Sequence, residues 1–333
     1  MSIPVSVVVC TRNRVDRLRR CVQAFASINT DYKWELIIVD NGSDDGTSAF
    51  LASLPRQLAK AHVITTFEPK RGSGAAKNKG VSQACGNIIA FTDDDCYVSE
   101  NYIDSMISAF ETPEIGLVCG RILLYDQSDL KLTIQESEDY FVLQPRTFVA
   151  AGTVQGANMA FRRAILDHIG GFDENLGAGT SFACEDIDAA AAILWAGFTG
   201  AYDPRAVVYH HHGRKTKREE RDLCKTYDKG LGAYYAKYIL RSDSRSKYIR
   251  HWVGSVIRGA ISGGLKNRLL HGRKSLRELF SGLHYVAARV FDKSIFTIWN
   301  GMDDSSTLRQ NPDTGRPEAA ARRSSSARST GVN

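Results

Sequence analysis

The chain has 333 residues, 43% of them hydrophobic, which is enough to bury one or two cores. It contains no apolar run of about eighteen residues, and the run at 5–10 is too short for a signal-peptide core, so we expect a cytoplasmic protein. Its seven cysteines form no CxxC pair, which fits free thiols better than disulfides or a zinc site.

Charge is unevenly distributed along the sequence. Residues 1–212 contain 18 Lys and Arg against 26 Asp and Glu, a net charge of −8. Residues 213–300 contain 20 against 7, a net charge of +13, and residues 301–333 contain 5 against 4. A basic segment is typical either of a solvated helical surface or of contact with an anionic partner. No nucleic-acid recognition motif accompanies it, so nucleic acid is not expected as a partner.

In the first half of the chain, short apolar segments alternate with segments of helical periodicity. Helices are predicted near residues 15–25 and 74–84, and buried strands at 5–9, 36–39, 63–67 and 88–91. This alternation indicates an α/β fold with a mostly parallel central sheet flanked by helices. Such sheets bind ligands at the carboxyl ends of their strands.

The second half is less regular. The pattern predicts a strand or loop at 156–161, helices at 163–169 and 185–196, and a strand at 207–209. A helical pattern runs from about 215 to 299 with a break at Gly263-Gly264, and residues 301–333 lack apolar periodicity. We therefore predict a domain at 1–212, a basic helical extension at 213–300 and a disordered tail at 301–333.

Polar residues follow three of the predicted strands: Thr11-Arg12-Asn13, then Asp40, then Asp93-Asp94-Asp95. Adjacent carboxylates raise one another's pKa, and a divalent cation would offset that repulsion. Oxygen ligands suit Mg²⁺ or Mn²⁺, with substrate phosphates completing the coordination shell. An acidic turn that caps a helix beginning near Ser99 explains the triplet equally well.

Three further groups are candidates with alternatives of their own. His210 follows the last predicted strand and suits Mn²⁺, although for a single histidine a polar strand end is the better explanation. Glu185 and Asp186 begin a helix, where carboxylates either stabilise the helix dipole or act as a general base. Lys77, in the helix after Gly72-Ser73-Gly74, faces either a pyrophosphate or solvent.

Eight short motifs give the chain, over residues 4–212, a resemblance to the family 2 glycosyltransferases. In chain order they are VSVVVCTRNR at 5–14, IIVDNGSDDGT at 37–47, AAKNKG at 75–80, IIAFTDDD at 88–95, GANMAFR at 156–162, GGFDE at 170–174, Glu185-Asp186, and VVYH at 207–210. Each motif is weak alone, and their order carries the signal. The resemblance implies a GT-A fold, with a nucleotide-sugar-binding Rossmann-like half and an acceptor half.

The resemblance also implies roles for the matching residues. The nucleotide sugar would be bound by Thr11, Asn13, Arg14, Asp40, Lys77, Asp93 and Asp94. A Mn²⁺ or Mg²⁺ cofactor would be held by Asp93, Asp95 and His210, and the acceptor by Asn158 and Glu185. Asp186 would be the catalytic base, with Glu185 beside it. Lys77 stands where the family usually has Arg, so a compact ammonium group replaces a planar guanidinium that can donate two parallel hydrogen bonds.

The implied function is inverting, metal-dependent transfer from a nucleotide diphosphate sugar, with UDP-sugars first among donors. The acceptor would be a hydroxyl on a glycan, a lipid-linked glycan or a protein, in bacterial surface polysaccharide or glycoconjugate synthesis. Two alternatives stay open. A sugar nucleotidyltransferase should carry a glycine-rich loop after the first strand, which this sequence lacks. A non-catalytic relative that binds sugars or partners is the other.

The basic extension contains two amphipathic patterns. One helical face carries Ile249, Val253, Val256, Ile257 and Ala260 with basic residues beside it, and the spacing is repeated after the glycine pair by Leu276, Phe280, Leu283 and Val290. Basic amphipathic helices bind anionic bilayers at the interface, so a peripheral membrane protein is one expectation. Packing of these stripes on the acidic first domain is the other.

Overall fold

The computed structural model describes residues 3–58, 60–261 and 263–291. The predicted tail at 301–333, and the end of the predicted helical segment, lie outside the described residues. The first half consists of β1 (Val5–Thr11), α1 (Val15–Ala26), β2 (Trp34–Asp40), α2 (Thr47–Ser53), β3 (Gln57–Leu58), β4 (Ala61–Phe67), α3 (Ser73–Gln83), β5 (Ile88–Asp93), β6 (Cys96–Val98), α4 (Tyr102–Ala109) and β7 (Ile115–Leu124). The second half consists of β8 (Phe141–Leu143), β9 (Met159–Arg162), α5 (Arg163–His168), α6 (Glu185–Trp195), β10 (Thr199–His210), α7 (Lys217–Leu240), α8 (Arg245–Ile261) and α9 (Leu265–Phe291).

The described strands form one mixed sheet in the order β3-β4-β2-β1-β5-β9-β7-β10-β6, with β8 paired to β10. Strands β4, β2, β1 and β5, which are the four strands predicted in the first half, run parallel. Strand β9 runs antiparallel to both β5 and β7, and β10 is parallel to β7 but antiparallel to β6 and β8. The predicted α/β class with a helix-flanked central sheet is confirmed, and its antiparallel pairings lie mainly in the second half.

Helices cover both faces of the sheet because its central strands are apolar on both sides. Val7 and Val9 of β1 lie in the same hydrophobic core as Leu18 and Phe25 of α1. Val8, which points the other way, lies in the opposite core with residues of α3, α5 and α6. The strict alternation of side chains along β1 therefore divides the interior into two cores.

Helix α7 belongs to the second of these cores. Its Tyr234 and Tyr238 are fully buried and pack with Tyr248 of α8. The helix begins with a capping box, in which Thr216 accepts from the backbone of Glu219 while the Glu219 carboxylate accepts from the backbone of Thr216. The predicted boundary between residues 212 and 213 falls in the short connection between β10 and α7.

The state of the cysteines and the character of the helices can be compared with the expectations from the sequence. All seven cysteines lie among the described residues and are free, as expected. Within the same residues, no helix combines the length and the apolar character needed to span a bilayer.

Candidate functional site

The carboxyl ends of β1, β2 and β5 form the edge at which most of the predicted site residues meet. Register places Thr11 of β1 beside Asp40 of β2, and Cys10 beside Asp93 of β5. The chain turns after Asp93 into β6, which pairs with the end of β10 and so brings His210 to the same edge. Strand pairing, parallel among β1, β2 and β5 and antiparallel between β6 and β10, thus assembles residues that are more than a hundred positions apart in sequence.

Asp94 faces the loop that follows β1. Thr11 Oγ1 donates to Asp94 Oδ2 at 2.7 Å, and Arg14 Nη1 lies 3.0 Å from both Asp94 Oδ1 and Asp95 Oδ2. Burial raises the pKa of Asp94 to about 6, and the opposing charge of Arg14 limits that rise. Arg14 therefore neutralises part of the triplet and fixes two of its side chains.

Asp93, Asp95 and His210 form a second cluster in the site, in which Asp95 and His210 are buried and Asp93 is half-buried. Their ligand atoms, with Cys96 Sγ, all lie within 4.8 Å of one another. Burial, and then the charge of Asp95, raises the pKa of Asp93. Burial alone would also raise the pKa of Asp95, but the neighbouring His210 and Arg14 lower it to about 2. The cluster therefore keeps one carboxylate ionised and disfavours ionisation of the second.

The cluster fits a divalent cation. Asp95 Oδ1 is buried, lies 3.5 Å from His210 Nε2, and accepts no hydrogen bond from any described residue. Apart from this contact with His210, the buried oxygen has no hydrogen-bond donor, and a cation would supply the missing interaction. Thr133 Oγ1, 3.2 Å from His210 Nδ1, orients the ring with Nε2 toward Asp95. Burial raises the pKa of Cys96 well above its usual value, which disfavours the thiolate, and Mg²⁺ and Mn²⁺ prefer oxygen ligands to sulfur.

Glu185 and Asp186, the first two residues of α6, have different partners. Lys77 Nζ donates to Glu185 Oε1 at 2.6 Å, and Ser73 Oγ donates to the same oxygen at 2.7 Å. Asp186 Oδ2 accepts from the backbone N–H of Gly156 at 3.0 Å. Lys77 is almost fully buried in this pair, so it is not the solvated lysine that the sequence left open.

These partners separate the two carboxylates in pKa. Burial alone would raise the pKa of Glu185, but the charge and hydrogen bond of Lys77 outweigh it and lower the pKa. Burial, and then the charge of Glu185, raises the pKa of Asp186 to about 6. Glu185 is therefore the fixed counterion of Lys77, whereas Asp186 can take up a proton near neutral pH.

The loops after β1 and β2 are bonded to each other beside the acidic edge. Asn13 adopts a positive φ of 53°, which asparagine tolerates better than most residues. Its backbone N–H donates to Ser43 Oγ at 3.0 Å, and its Oδ1 accepts from the backbone of Asp44 at 2.7 Å. Asp40, which is buried, accepts at Oδ1 from the backbone of Ser43 at 2.9 Å. These hydrogen bonds join the loop of Asn13 to the loop that follows Asp40, beside the buried Thr11.

Asn158 lies in the interior of the protein. Its side chain is fully buried, donates to the carbonyls of Arg121 and Ala206 at 3.0 and 2.9 Å, and accepts from Tyr102 Oη at 3.3 Å. Gly120 leaves the room for it, because a Cβ there would come within 2.3 Å of Asn158 Nδ2. This geometry gives no support to an acceptor contact by Asn158, and we leave it out of the site.

Comparison with known proteins shows which family the sequence resembles. The family model described as Glycosyl transferase family 2 matches residues 6–170. Glycosyltransferase AglE of Haloferax volcanii is 29% identical over 182 residues, which cover 53% of this chain and 58% of AglE, less than two thirds of it. O-antigen chain rhamnosyltransferase RfbN of Salmonella typhimurium is 26% identical over 226 residues, which cover 64% of this chain and 67% of RfbN. The chain belongs to glycosyltransferase family 2.

A solved structure shares the fold. The mannosyltransferase PcManGT of Pyrobaculum calidifontis, in complex with GDP-Man and Mn²⁺, matches with a TM-score of 0.55 at 18% identity, and the match covers 87% of each chain. The fold of this family 2 chain is therefore GT-A, as the order of its motifs implied.

Sequence reasoning did not identify Ser73 and Gly156 as parts of the site. Both lie within or beside motifs of family 2, Ser73 as the first residue of α3 and Gly156 at the start of GANMAFR. A Cβ at Gly156 would lie 3.2 Å from Lys77 Nζ, so glycine leaves space for the ammonium group. The glycines on either side of Ser73, and the glycine that opens GANMAFR, could have drawn attention to these positions. The sequence alone does not show which carboxylate Ser73 or Gly156 contacts.

Proposed function

We propose that the protein transfers a sugar from a nucleotide diphosphate sugar to an acceptor hydroxyl, with inversion at the anomeric carbon. The observation that carries this proposal is that two acidic groups lie around the buried Lys77 and both act on its charge. One, Asp93–Asp95 with His210, fits a divalent cation; the other is Asp186, whose raised pKa suits a base. The name of RfbN, an O-antigen chain rhamnosyltransferase, supports a role in bacterial surface polysaccharide or glycoconjugate synthesis.

The donor side of the site is assigned to the loops after β1 and β2 and the end of β5. Its residues are Thr11, Asn13, Arg14, Asp40, Lys77, Asp93 and Asp94. A Mn²⁺ or Mg²⁺ ion held by Asp93, Asp95 and His210 would add positive charge where the diphosphate leaves. Bound GDP-Man and Mn²⁺ in PcManGT, a chain of the same fold, support both assignments.

On the acceptor side, Asp186 takes the proton of the acceptor hydroxyl as its oxygen attacks the anomeric carbon. The bond from that carbon to the diphosphate breaks on the opposite face, and its electron pair leaves with the nucleoside diphosphate. Lys77, held in place by Glu185, contributes a fixed positive charge close to Asp186. We accordingly propose residues 1–212 as the catalytic domain and a glycan, lipid-linked or protein hydroxyl as the acceptor.

A thermal-shift screen of UDP-, GDP- and dTDP-sugars with Mn²⁺, Mg²⁺ or chelator tests the donor proposal. We expect one nucleotide class, with UDP-sugars first, to stabilise the protein more when metal is present, because binding to the native state raises the unfolding temperature. Asp95→Asn should remove most of the metal-dependent rise in unfolding temperature. Asp139→Asn changes an exposed carboxylate outside the site and should keep that rise. Equal stabilisation with chelator would contradict the metal assignment.

Product analysis separates the two alternative functions. Formation of a nucleotide sugar from a sugar phosphate and a nucleoside triphosphate would indicate a nucleotidyltransferase. Donor binding without release of nucleoside diphosphate, in the presence of any hydroxyl acceptor or water, would indicate a non-catalytic relative.

A further inference from the structure

Helix α9 is fixed to α7 along one side. Ser281 Oγ donates to the carbonyl of Lys229 at 2.7 Å, and Arg277 pairs with Asp228 at 2.6 Å. Tyr285, on the same side, is buried and donates to Asp173 Oδ2 at 3.1 Å. These contacts determine which face of α9 points away from the protein.

That outward face is apolar. Leu276, Phe280 and Leu283 follow one another at helical spacing, and between 53% and 66% of each side chain's surface is exposed. The same stripe continues along α9, and a second stripe lies on α8. We term the two stripes together the apolar face. Its members, all exposed among the described residues, are Ile249, Val253, Ile257, Ile261, Leu265, Leu269, Leu276, Leu279, Phe280, Leu283 and Val290. On each helix, exposed apolar residues that recur at helical spacing differ from the scattered exposed leucines of ordinary surfaces and mark an interaction site.

The surroundings of the apolar face are basic. Residues 245–291 contain ten Lys and Arg and a single carboxylate, Glu278. Glu278 is buried, where it accepts from Trp252 Nε1 at 3.0 Å, so among the described residues the exposed surface of α8 and α9 carries no carboxylate. Lys266, Arg268 and Arg273 are exposed beside the apolar stripe of α9.

The charge decides between occupants of this face. Two copies of the chain meeting here would bring like charges together, which opposes association. A nucleic acid would satisfy the basic residues but leave the apolar row in water. An anionic bilayer satisfies both, because apolar side chains enter the interfacial region while Lys and Arg reach the head groups.

We propose that α8 and α9 dock the protein on bilayers that contain anionic lipid, with the apolar face buried in the interface and its basic flanks at the head groups. Docking is a property of this surface and does not rest on the proposed transferase activity.

Co-sedimentation of the full chain with lipid vesicles tests the proposal. We expect binding to vesicles of phosphatidylcholine and phosphatidylglycerol in equal amounts, much weaker binding to phosphatidylcholine alone, and a steady loss of binding as salt is raised. Equal binding to the two kinds of vesicle, or binding to neither, would overturn the proposal.

Substitution on the apolar face identifies the element responsible. The variant L276S/F280S/L283S should bind anionic vesicles at least about 100-fold more weakly, because each large apolar side chain that is buried contributes about tenfold or more to affinity. Tyr32→Ser, which removes an exposed aromatic side chain elsewhere, should bind like the wild type. Unchanged binding by the triple variant would show that another surface makes the contact and would overturn the proposal.

Two further measurements separate docking from misfolding and from self-association. The triple variant should retain the wild-type unfolding temperature and donor response, because its side chains are exposed among the described residues. Sedimentation without vesicles should show a monomer at all concentrations tested. A dimer that the triple variant abolishes would assign the face to a second copy and overturn the proposal.

Discussion

Two neighbouring carboxylates at the start of α6 illustrate how single contacts divide chemical roles. Glu185 and Asp186 share a backbone turn and similar burial, yet only Glu185 has an ammonium partner, Lys77. That partner lowers the pKa of Glu185, while the charge of Glu185 adds to burial in raising the pKa of Asp186. An ion pair on one carboxylate thus prepares its neighbour for proton transfer.

The raised pKa of Asp186 predicts a pH dependence. Asp186 must be ionised to accept a proton, and because its pKa is about 6 its ionised fraction falls as pH drops through that value. We expect kcat/KM for donor turnover to be level above neutral pH and to fall about tenfold per pH unit below about 6. A rate that stays level down to about pH 4.5, in protein shown to remain folded, would contradict the assignment.

Breaking the ion pair of Lys77 and Glu185 should be strongly destabilising. Lys77→Met leaves a buried, unpaired carboxylate, and loss of one partner of such a pair costs about 3–5 kcal/mol. The double variant Lys77→Met, Glu185→Gln removes both charges and should recover most of that loss. Urea unfolding of the single and double variants measures this loss and its recovery. Similar free energies of unfolding for the single and the double variant would show that Lys77 and Glu185 are not coupled.

Among the elements, the predictable ones include those with a periodic apolar pattern, whereas β7 escaped prediction because glycines interrupt it. Strands β1, β2, β4 and β5 contain uninterrupted apolar or β-branched runs, and α1 repeats apolar residues at helical spacing. Strand β7 was missed although it is almost entirely buried, because Gly116 and Gly120 break its pattern. Both glycines are explained only by neighbours in space, Ile165 and Asn158, which the sequence does not place.

The contact between α7 and α9 depends on a glycine. A Cβ at Gly232 of α7 would lie 2.1 Å from the carbonyl oxygen of Glu278 in α9, so Gly232→Ala must push the helices apart. We expect a loss of about 1–3 kcal/mol in the free energy of unfolding, as for other overpacked contacts.

The control lies in the same helix pair. A Cβ at Gly272 of α9 would meet no atom of the described residues within 4 Å, so Gly272→Ala should instead stabilise by about 0.5–1 kcal/mol through helix propensity. Denaturant unfolding compares the two variants. Equal, small effects would mean that α7 and α9 are not closely packed.

For the whole molecule, the order of motifs predicted more than any single residue did. The triplet, Asp186 and His210 are separated by long stretches of sequence, and their order indicated the family and its fold before any contact was known. Three features needed the folded chain: the unpartnered oxygen of Asp95, the burial of Asn158, and the outward direction of the apolar face on α9. Each depends on which surfaces of neighbouring elements meet, which local patterns do not encode.

The central claim is that the acidic edge of the sheet transfers a sugar with Asp186 as base, and one comparison tests it most directly. Turnover of the donor identified by screening should be measured for the wild type and for Asp186→Asn, with donor affinity measured on the same preparations. The account predicts unchanged affinity and a turnover lower by about 10²–10⁴, the usual size of a general-base contribution. Wild-type turnover in Asp186→Asn would contradict it.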